Sequence, residues 1–134
     1  MTGDDLAAAA LSLVGTPYRL HGRHPAVGLD CLGLFSAAVE ICGISGHLPQ
    51  GYGLRLTNLP AIAPYAAEMG FAAAVPPEQP GDVVFVCPGP AQLHLLIAAG
   101  NGQYVHAHAG LRRVVVSGWT KIWQTQSLWR HGPL

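Results

Sequence analysis

The stretch Asp30-Cys31-Leu32-Gly33-Leu34-Phe35 decides how the chain is read. It follows residues 15–29, a segment rich in glycine, proline and histidine, and it opens an apolar pattern at Leu34, Phe35, Ala38, Ile41 and Cys42 with helical spacing, Glu40 falling on the other side. A helix is expected over 31–42, with Asp30 as N-cap and Gly43 as its stop. Cys31 then lies in the first turn, beside backbone N–H groups without intrahelical partners and at the positive end of the helix dipole. Both effects favour thiolate over thiol, and the same N–H groups suit an oxyanion. Taken alone, a cysteine is more often a buried core residue than a nucleophile, so the reading depends on what accompanies it.

Upstream, Asp4 to Val14 reads as a helix capped by Asp4, with Leu6, Leu11, Leu13 and Val14 as a partial apolar stripe ended by Gly15 and Pro17. Residues 44–80 hold six of the eleven prolines, which predicts a long wrapping connection with one short helix over Pro64 to Met69. Past Pro80 the pattern turns to strands: Asp82 to Cys87, Leu93 to Ala99, Gln103 to His108 and Arg112 to Ser117, giving three or four antiparallel strands. Trp119, Trp123 and Trp129 in the tail predict a late strand or helix packed on the core. The order implies an α+β fold, with helices on one face of an antiparallel sheet, in a single domain over residues 1–134.

Composition narrows the function. Net charge is zero, and one lysine with six scattered arginines forms no basic stripe, which excludes nucleic acid as the expected partner. The Ala7 to Val14 run is too short to span a bilayer and lacks a basic region before it, so neither membrane insertion nor a signal peptide is expected and the chain should start in the cytoplasm. Cys31, Cys42 and Cys87 are widely spaced, without the pairing of a disulfide framework or a zinc site, and no metal or other cofactor is expected. Only a tenth of the residues are charged, which predicts a surface that is unusually apolar or partly covered by another protein.

A thiol nucleophile needs a base, and the base needs a third group that fixes its tautomer. Strand alternation puts His94 on one face with Leu96 and Ala98, and Leu93, Leu95 and Ile97 on the other; one face is taken as core and the other as facing the helix of Cys31. On the next strand Tyr104, His106 and His108 share a face. A three-residue turn, Gly100-Asn101-Gly102, pairs Ala99 with Gln103 and sets His94 opposite His108 with His106 one step along. A two-residue Asn101-Gly102 turn would separate His94 and His106 onto opposite faces. Spacing leaves His106 and His108 both open as third member. A zinc site on His94, His106 and His108 is a weaker alternative, because it leaves Cys31 unexplained.

Five segments in order, Gly15 to Tyr18, Asp30 to Gly33, Gly81 to Phe85, His94 to Ile97 and Tyr104 to Ala107, resemble the motifs of the NlpC/P60 family of papain-like cysteine peptidases, over most of the chain. The resemblance implies the papain-like fold, N-terminal helices packed on an antiparallel β-meander. It also implies Cys31 as nucleophile, His94 as base and His106 as orienting residue. Tyr18, Asp30 and Leu32 would be the substrate-binding and oxyanion positions. The implied activity is hydrolysis of peptidoglycan stem peptides, between D-glutamyl and diamino-acid residues. Leu32 stands where the family usually has serine, a variant associated with peptidases encoded beside tail genes of phages and gene transfer agents. The implied partners are therefore tail-tip or hub proteins, and the implied location is a virion or tail particle acting at the cell wall. His21 and Arg23 replace small residues, and Leu95-Leu96 replaces Val-Gly after the histidine and is expected to crowd the cleft. A structural tail-tip protein with little activity is the competing reading, and an acyltransferase or amidase is a third.

Overall fold

In the computed structural model, which describes residues 1–45, 62–88 and 93–132, the chain begins with α1, Gly3–Ser12. Its cap is Thr2 rather than Asp4. The Thr2 hydroxyl accepts from the Asp5 N–H at 3.1 Å while the Asp5 carboxylate accepts from the Thr2 N–H at 2.9 Å, satisfying two donors that a helix start leaves bare. The next segment runs along the outer edge of the sheet: Gly15 and Tyr18 N–H donate to the Val114 and Arg112 carbonyls at 2.8 and 2.9 Å. Despite their glycine, proline and histidine content, residues 15–29 also carry a two-stranded ribbon, β1 Arg23–His24 and β2 Gly28–Leu29.

Helix α2 spans Cys31–Ile41 with Asp30 as its cap, the Gly33 N–H donating to Asp30 Oδ1 at 2.8 Å. Its end is closed by Gly43, at φ 89°, whose N–H donates to the Glu40 carbonyl while Ile44 N–H reaches the Val39 carbonyl, both at 2.9 Å. Helix α3, Ala63–Glu68, falls where the short proline-opened helix was expected. Residues 46–61, with much of the expected wrapping connection and His47, lie outside the described residues.

Six strands form one sheet among the described residues: β3 Phe71–Ala73, β4 Val83–Cys87, β5 His94–Gly100, β6 Gln103–His108, β7 Arg113–Gly118 and β8 Gln124–His131. Their spatial order is β3-β8-β4-β5-β6-β7, with every neighbour antiparallel. The expected strands are the meander β4 to β7, within a residue of the expected ends. The tail returns as β8 to pair with β4, and β3 extends that side.

The sheet has two apolar faces. Val83, Phe85, Leu95, Ile97, Val105 and Ala107 meet Leu6, Ala10, Leu32, Phe35 and Ala38 of α1 and α2 in the main core. Val84, Val86, Leu96, Ala98 and Tyr104 form a second cluster closed by Trp123 and Leu128. This corrects one expectation: α2 packs on the Leu95 and Ile97 face, and His94 shares the opposite face with Leu96 and Ala98. The correction has a simple cause, since α2 must bury its own apolar side chains and the opposite face is already covered by Trp123 and Leu128. Leu95 and Leu96 are 1% and 0% exposed, one in each cluster, and neither lines the cleft, so they do not crowd it.

The glycine in Asp30-Cys31-Leu32-Gly33 has a steric reason. A Cβ at Gly33 would overlap the Gly22 carbonyl oxygen, because the ribbon lies directly on the first turn of α2. Gly33→Ala is therefore expected to lower stability by roughly 1–3 kcal/mol, the usual cost of overpacking, read as a lower urea midpoint with the slope unchanged.

Candidate active site

The turn between β5 and β6 decides whether two histidines can meet. Asn101 and Gly102 take φ of 56° and 71°, a two-residue turn of the primed type that closes on the pair Gly100↔Gln103. By itself that register would put His94 and His106 on opposite faces. The ladder shifts between Ala98 and Gly100, however, and continues as Ala98↔Tyr104 and Ile97↔Val105. The extra residue at Ala99 restores the register that a three-residue turn would have given, though with Gly100 rather than Ala99 opposite Gln103. His94 and His106 thereby point to one face as diagonal neighbours, with His94 Nε2 and His106 Nδ1 3.1 Å apart.

His106 is 3% exposed, and its Nε2 lies 2.9 Å from Ser117 Oγ on β7. His108 does not reach His94 by any hydrogen bond among the described residues; its Nδ1 accepts the Leu111 N–H at 3.0 Å. Geometry thus distinguishes the two histidines that spacing left open. Trp123 packs against both partner rings, 5.1 Å from His106 and 6.4 Å from His94, and Trp119 stacks edge-on to Trp123 at 5.3 Å. The tail tryptophans were read as core packing. That holds for Trp129 against Phe85 and for Trp123 in the second cluster, and Trp123 also forms a wall of the cleft.

Cys31, Tyr18, Asp30, His94 and His106 line one cleft of about 740 Å³, a volume suited to a small ligand or a short peptide stretch. The cysteine comes from the start of α2 and the histidines from the far face of the sheet, so they converge where β5 begins. The backbone N–H groups of Leu95 and Leu32 both favour a thiolate at Cys31. Leu32 itself is fully buried in the main core, so its part in the cleft is that N–H and not its side chain.

Asp30 is 2% exposed, with its carboxylate engaged by the Gly33 and His21 N–H groups at 2.8 and 2.9 Å and by Arg23 Nη1 at 3.0 Å. It organises the turn that carries Cys31, and is an anion beside the thiol. Burial first, and the Asp30 charge second, push the Cys31 thiol up to about 12, outweighing the Leu95 and Leu32 N–H groups and Arg23. Burial and the Asp30 carboxylate thus oppose the tilt toward thiolate expected from the helix start. A helix dipole contributes at most about 2 kcal/mol near its end, and burial beside a carboxylate opposes it with more.

The histidines show the matching pattern. Burial, aided by His106 and His108, holds His94 down at about 3, and burial with His108 holds His106 at about 4. Burial thus opposes the charged form at the thiol and at both imidazoles. Tyr18 is raised to about 12 by burial, then by Cys31 and Asp30, and stays a neutral O–H donor. Among the described residues no group of three or more His, Cys, Asp or Glu is placed to hold a metal ion. Ser117 was missed in the sequence; the alternation that puts it on the face of Val115, diagonal to His106, was the available signal.

The model of the NlpC/P60 family matches residues 15–131. The chain belongs to the NlpC/P60 family. It is 29% identical over 118 residues to dipeptidyl-peptidase 6 of Lysinibacillus sphaericus, covering 85% of this chain and 35% of that protein. The chain thus spans about a third of that relative's length. Among solved structures, it resembles the NlpC/p60 domain of the peptidoglycan hydrolase SagA at 25% identity and TM-score 0.65, covering 96% of this chain and 97% of that one. It also shares the fold of RipD of Mycobacterium tuberculosis, described as a non-catalytic NlpC/p60 domain protein adapted to peptidoglycan binding, at 22% identity and TM-score 0.61 over 96% and 95% of the chains.

Two measurements follow from the electrostatics. Iodoacetamide labelling of Cys31 in the free protein should stay slow at neutral pH and rise only above the ordinary thiol range, while Asp30→Asn, which removes the neighbouring anion, should move the rise to lower pH; a plateau at neutral pH in the wild type would contradict that effect of burial. Stability should also depend on pH through the histidines. Their folded values lie below the unfolded value of 6.5, so the unfolded chain binds protons first and stability, full above about pH 7, falls as pH drops through 6.5 toward 4. Urea midpoints measured across that window should show a shallower acid slope in His106→Gln than in the wild type.

Proposed function

We propose that this NlpC/P60 protein is a thiol endopeptidase acting on peptidoglycan stem peptides. The observation that carries the reading is a single cleft holding Cys31 at the start of a helix and His94 hydrogen-bonded to His106. His94 Nε2 is engaged by His106, which leaves Nδ1 to take the Cys31 proton as sulfur attacks the substrate carbonyl carbon. Backbone N–H groups at the helix start, with the neutral Tyr18 hydroxyl, suit the oxyanion. The imidazolium then returns its proton to the leaving amine, and water, deprotonated by His94, releases the acyl group from sulfur.

The finer assignments belong to the same reading. The scissile bond is that between a D-glutamyl and a diamino-acid residue, which the family resemblance supports, while the naming of SagA as a peptidoglycan hydrolase supports the substrate class alone. The protein acts as part of a phage-like tail tip or gene transfer agent particle at the cell wall. That placement is supported by Leu32 in the nucleophile motif and by exposed apolar side chains such as Val75 and Val27, at 75% and 54%, which a neighbouring protein would cover. A binding role without catalysis, as printed for RipD, has less behind it here, because Cys31 and both histidines are present together in the cleft.

Zymography on peptidoglycan, followed by mass analysis of the released peptides, tests the activity and the bond. Cys31→Ala and His94→Ala should each abolish clearing with the fold intact, since members of one catalytic unit fail together. Cys42→Ala, outside the cleft, should keep activity at a modest cost in stability. Peptides from that protein in purified tail particles would support the particle role, and their absence would remove it.

His106→Ala should fall by a factor of about a hundred or more, as expected when a base loses its orienting partner, with His106→Asn or His106→Gln recovering part of the rate. His108→Ala should stay close to wild type. An inactive His108→Ala beside an active His106→Ala would overturn the assignment.

A further inference from the structure

We propose that Ser117 is a positioning residue that sets the tautomers of both histidines, and so decides which nitrogen of His94 is free to act as base. The proposal rests on the thiol-peptidase reading of the same cleft. Ser117 Oγ lies 2.9 Å from His106 Nε2 and 3.3 Å from the Gly118 carbonyl oxygen. His106 Nδ1 in turn lies 3.1 Å from His94 Nε2. A hydroxyl has one proton to give, and a neutral imidazole has one N–H and one lone pair, so the direction of one bond fixes the direction of all of them.

Two arrangements are open to this chain of groups. In the first, the Ser117 hydroxyl donates to the Gly118 carbonyl and accepts from His106 Nε2–H. His106 Nδ1 is then a lone pair, it accepts from His94 Nε2–H, and His94 Nδ1 is left as a lone pair able to take a proton from Cys31. In the second, Ser117 donates to His106 Nε2, His106 Nδ1–H donates to His94 Nε2, and His94 carries its proton on Nδ1, where it cannot serve as base. The Gly118 carbonyl can only accept, so the contact of the Ser117 hydroxyl with it favours the first arrangement. Register explains how serine reaches this point: Tyr104↔Ser117 and His106↔Val115 are paired, which places Ser117 diagonal to His106 on the histidine face.

Ser117 has no contact with the thiol in this scheme, so its loss should change the tautomer populations and the rate without changing substrate affinity. The test uses protein labelled with 15N-histidine, with tautomers read from long-range proton–nitrogen correlations near neutral pH, beside kinetics on a stem-peptide substrate. In the wild type both His94 and His106 should be Nε2–H. In Ser117→Ala both should shift toward a mixture, with kcat reduced about tenfold or more and KM within about twofold, since a wrong tautomer removes the base while leaving the site intact. Ser117→Thr, which keeps the hydroxyl, should restore the Nε2–H forms and most of kcat, whereas Ser117→Val, of the same shape without it, should not. Unchanged tautomers in Ser117→Ala, or a kcat equal to wild type in an active enzyme, would overturn the proposal. If the wild type hydrolyses no stem peptide but the tautomers still shift in Ser117→Ala and return in Ser117→Thr, the positioning role stands and the peptidase reading fails.

Discussion

The buried carboxylate of Asp30 holds the turn before α2 together. It caps α2 through the Gly33 N–H, ties back the His21 N–H, and pairs with Arg23 at 3.0 Å, so that a glycine-rich segment with little core of its own acquires a defined shape. Capping alone contributes about 1 kcal/mol, and hydrogen bonds to a charged group about 1.5–3 kcal/mol. The same charge has a cost for chemistry, since an anion beside Cys31 favours the thiol. Arg23 offsets part of that, which gives the departure at position 23 a physical sense: the guanidinium both satisfies the buried carboxylate and softens its effect on sulfur.

A second constraint lies at the tip of the β5–β6 hairpin. Asn-Gly favours a two-residue turn, and side-chain alternation from that turn would send His94 and His106 to opposite faces. One bulged position, Ala99, reverses this. The local preference of the turn and the requirement of the site are thus reconciled at a single residue, and the 3.1 Å contact between the imidazoles depends on it.

What could be read from the chain follows from what is local. Helix α2, its cap, its glycine stop and the four meander strands rest on short-range pattern and were legible within a residue or so. β8 was legible only as a late strand or helix on the core, because Gln124-Thr125-Gln126-Ser127 has neither apolar alternation nor β-branched density, and its ladder to β4 skips Gln126. β3 is three residues long, too short for a period to declare itself. The face of the sheet that receives α2, the cleft wall made by Trp123 and the protonation of Cys31 are tertiary properties. Each depends on which groups are brought near from distant segments, and no spacing rule contains that information.

The neutral histidine at position 106 bears on how such a site can work. A carboxylate in its place would stabilise an imidazolium at His94 by charge, whereas His106 offers only a lone pair and a fixed orientation. Two imidazoles 3.1 Å apart in an apolar pocket also resist double protonation, consistent with both lying far below the ordinary histidine range. Under the proposed mechanism burial works against an ion pair between sulfur and His94 in the empty cleft. Its stabilisation must come from groups aimed at the developing charges: the helix-start N–H groups, the Leu95 N–H and the Tyr18 hydroxyl. A site of this kind gains reactivity as a substrate closes the cleft and excludes water, because each of those dipoles acts more strongly in the drier medium while the resting thiol stays protected from indiscriminate reaction.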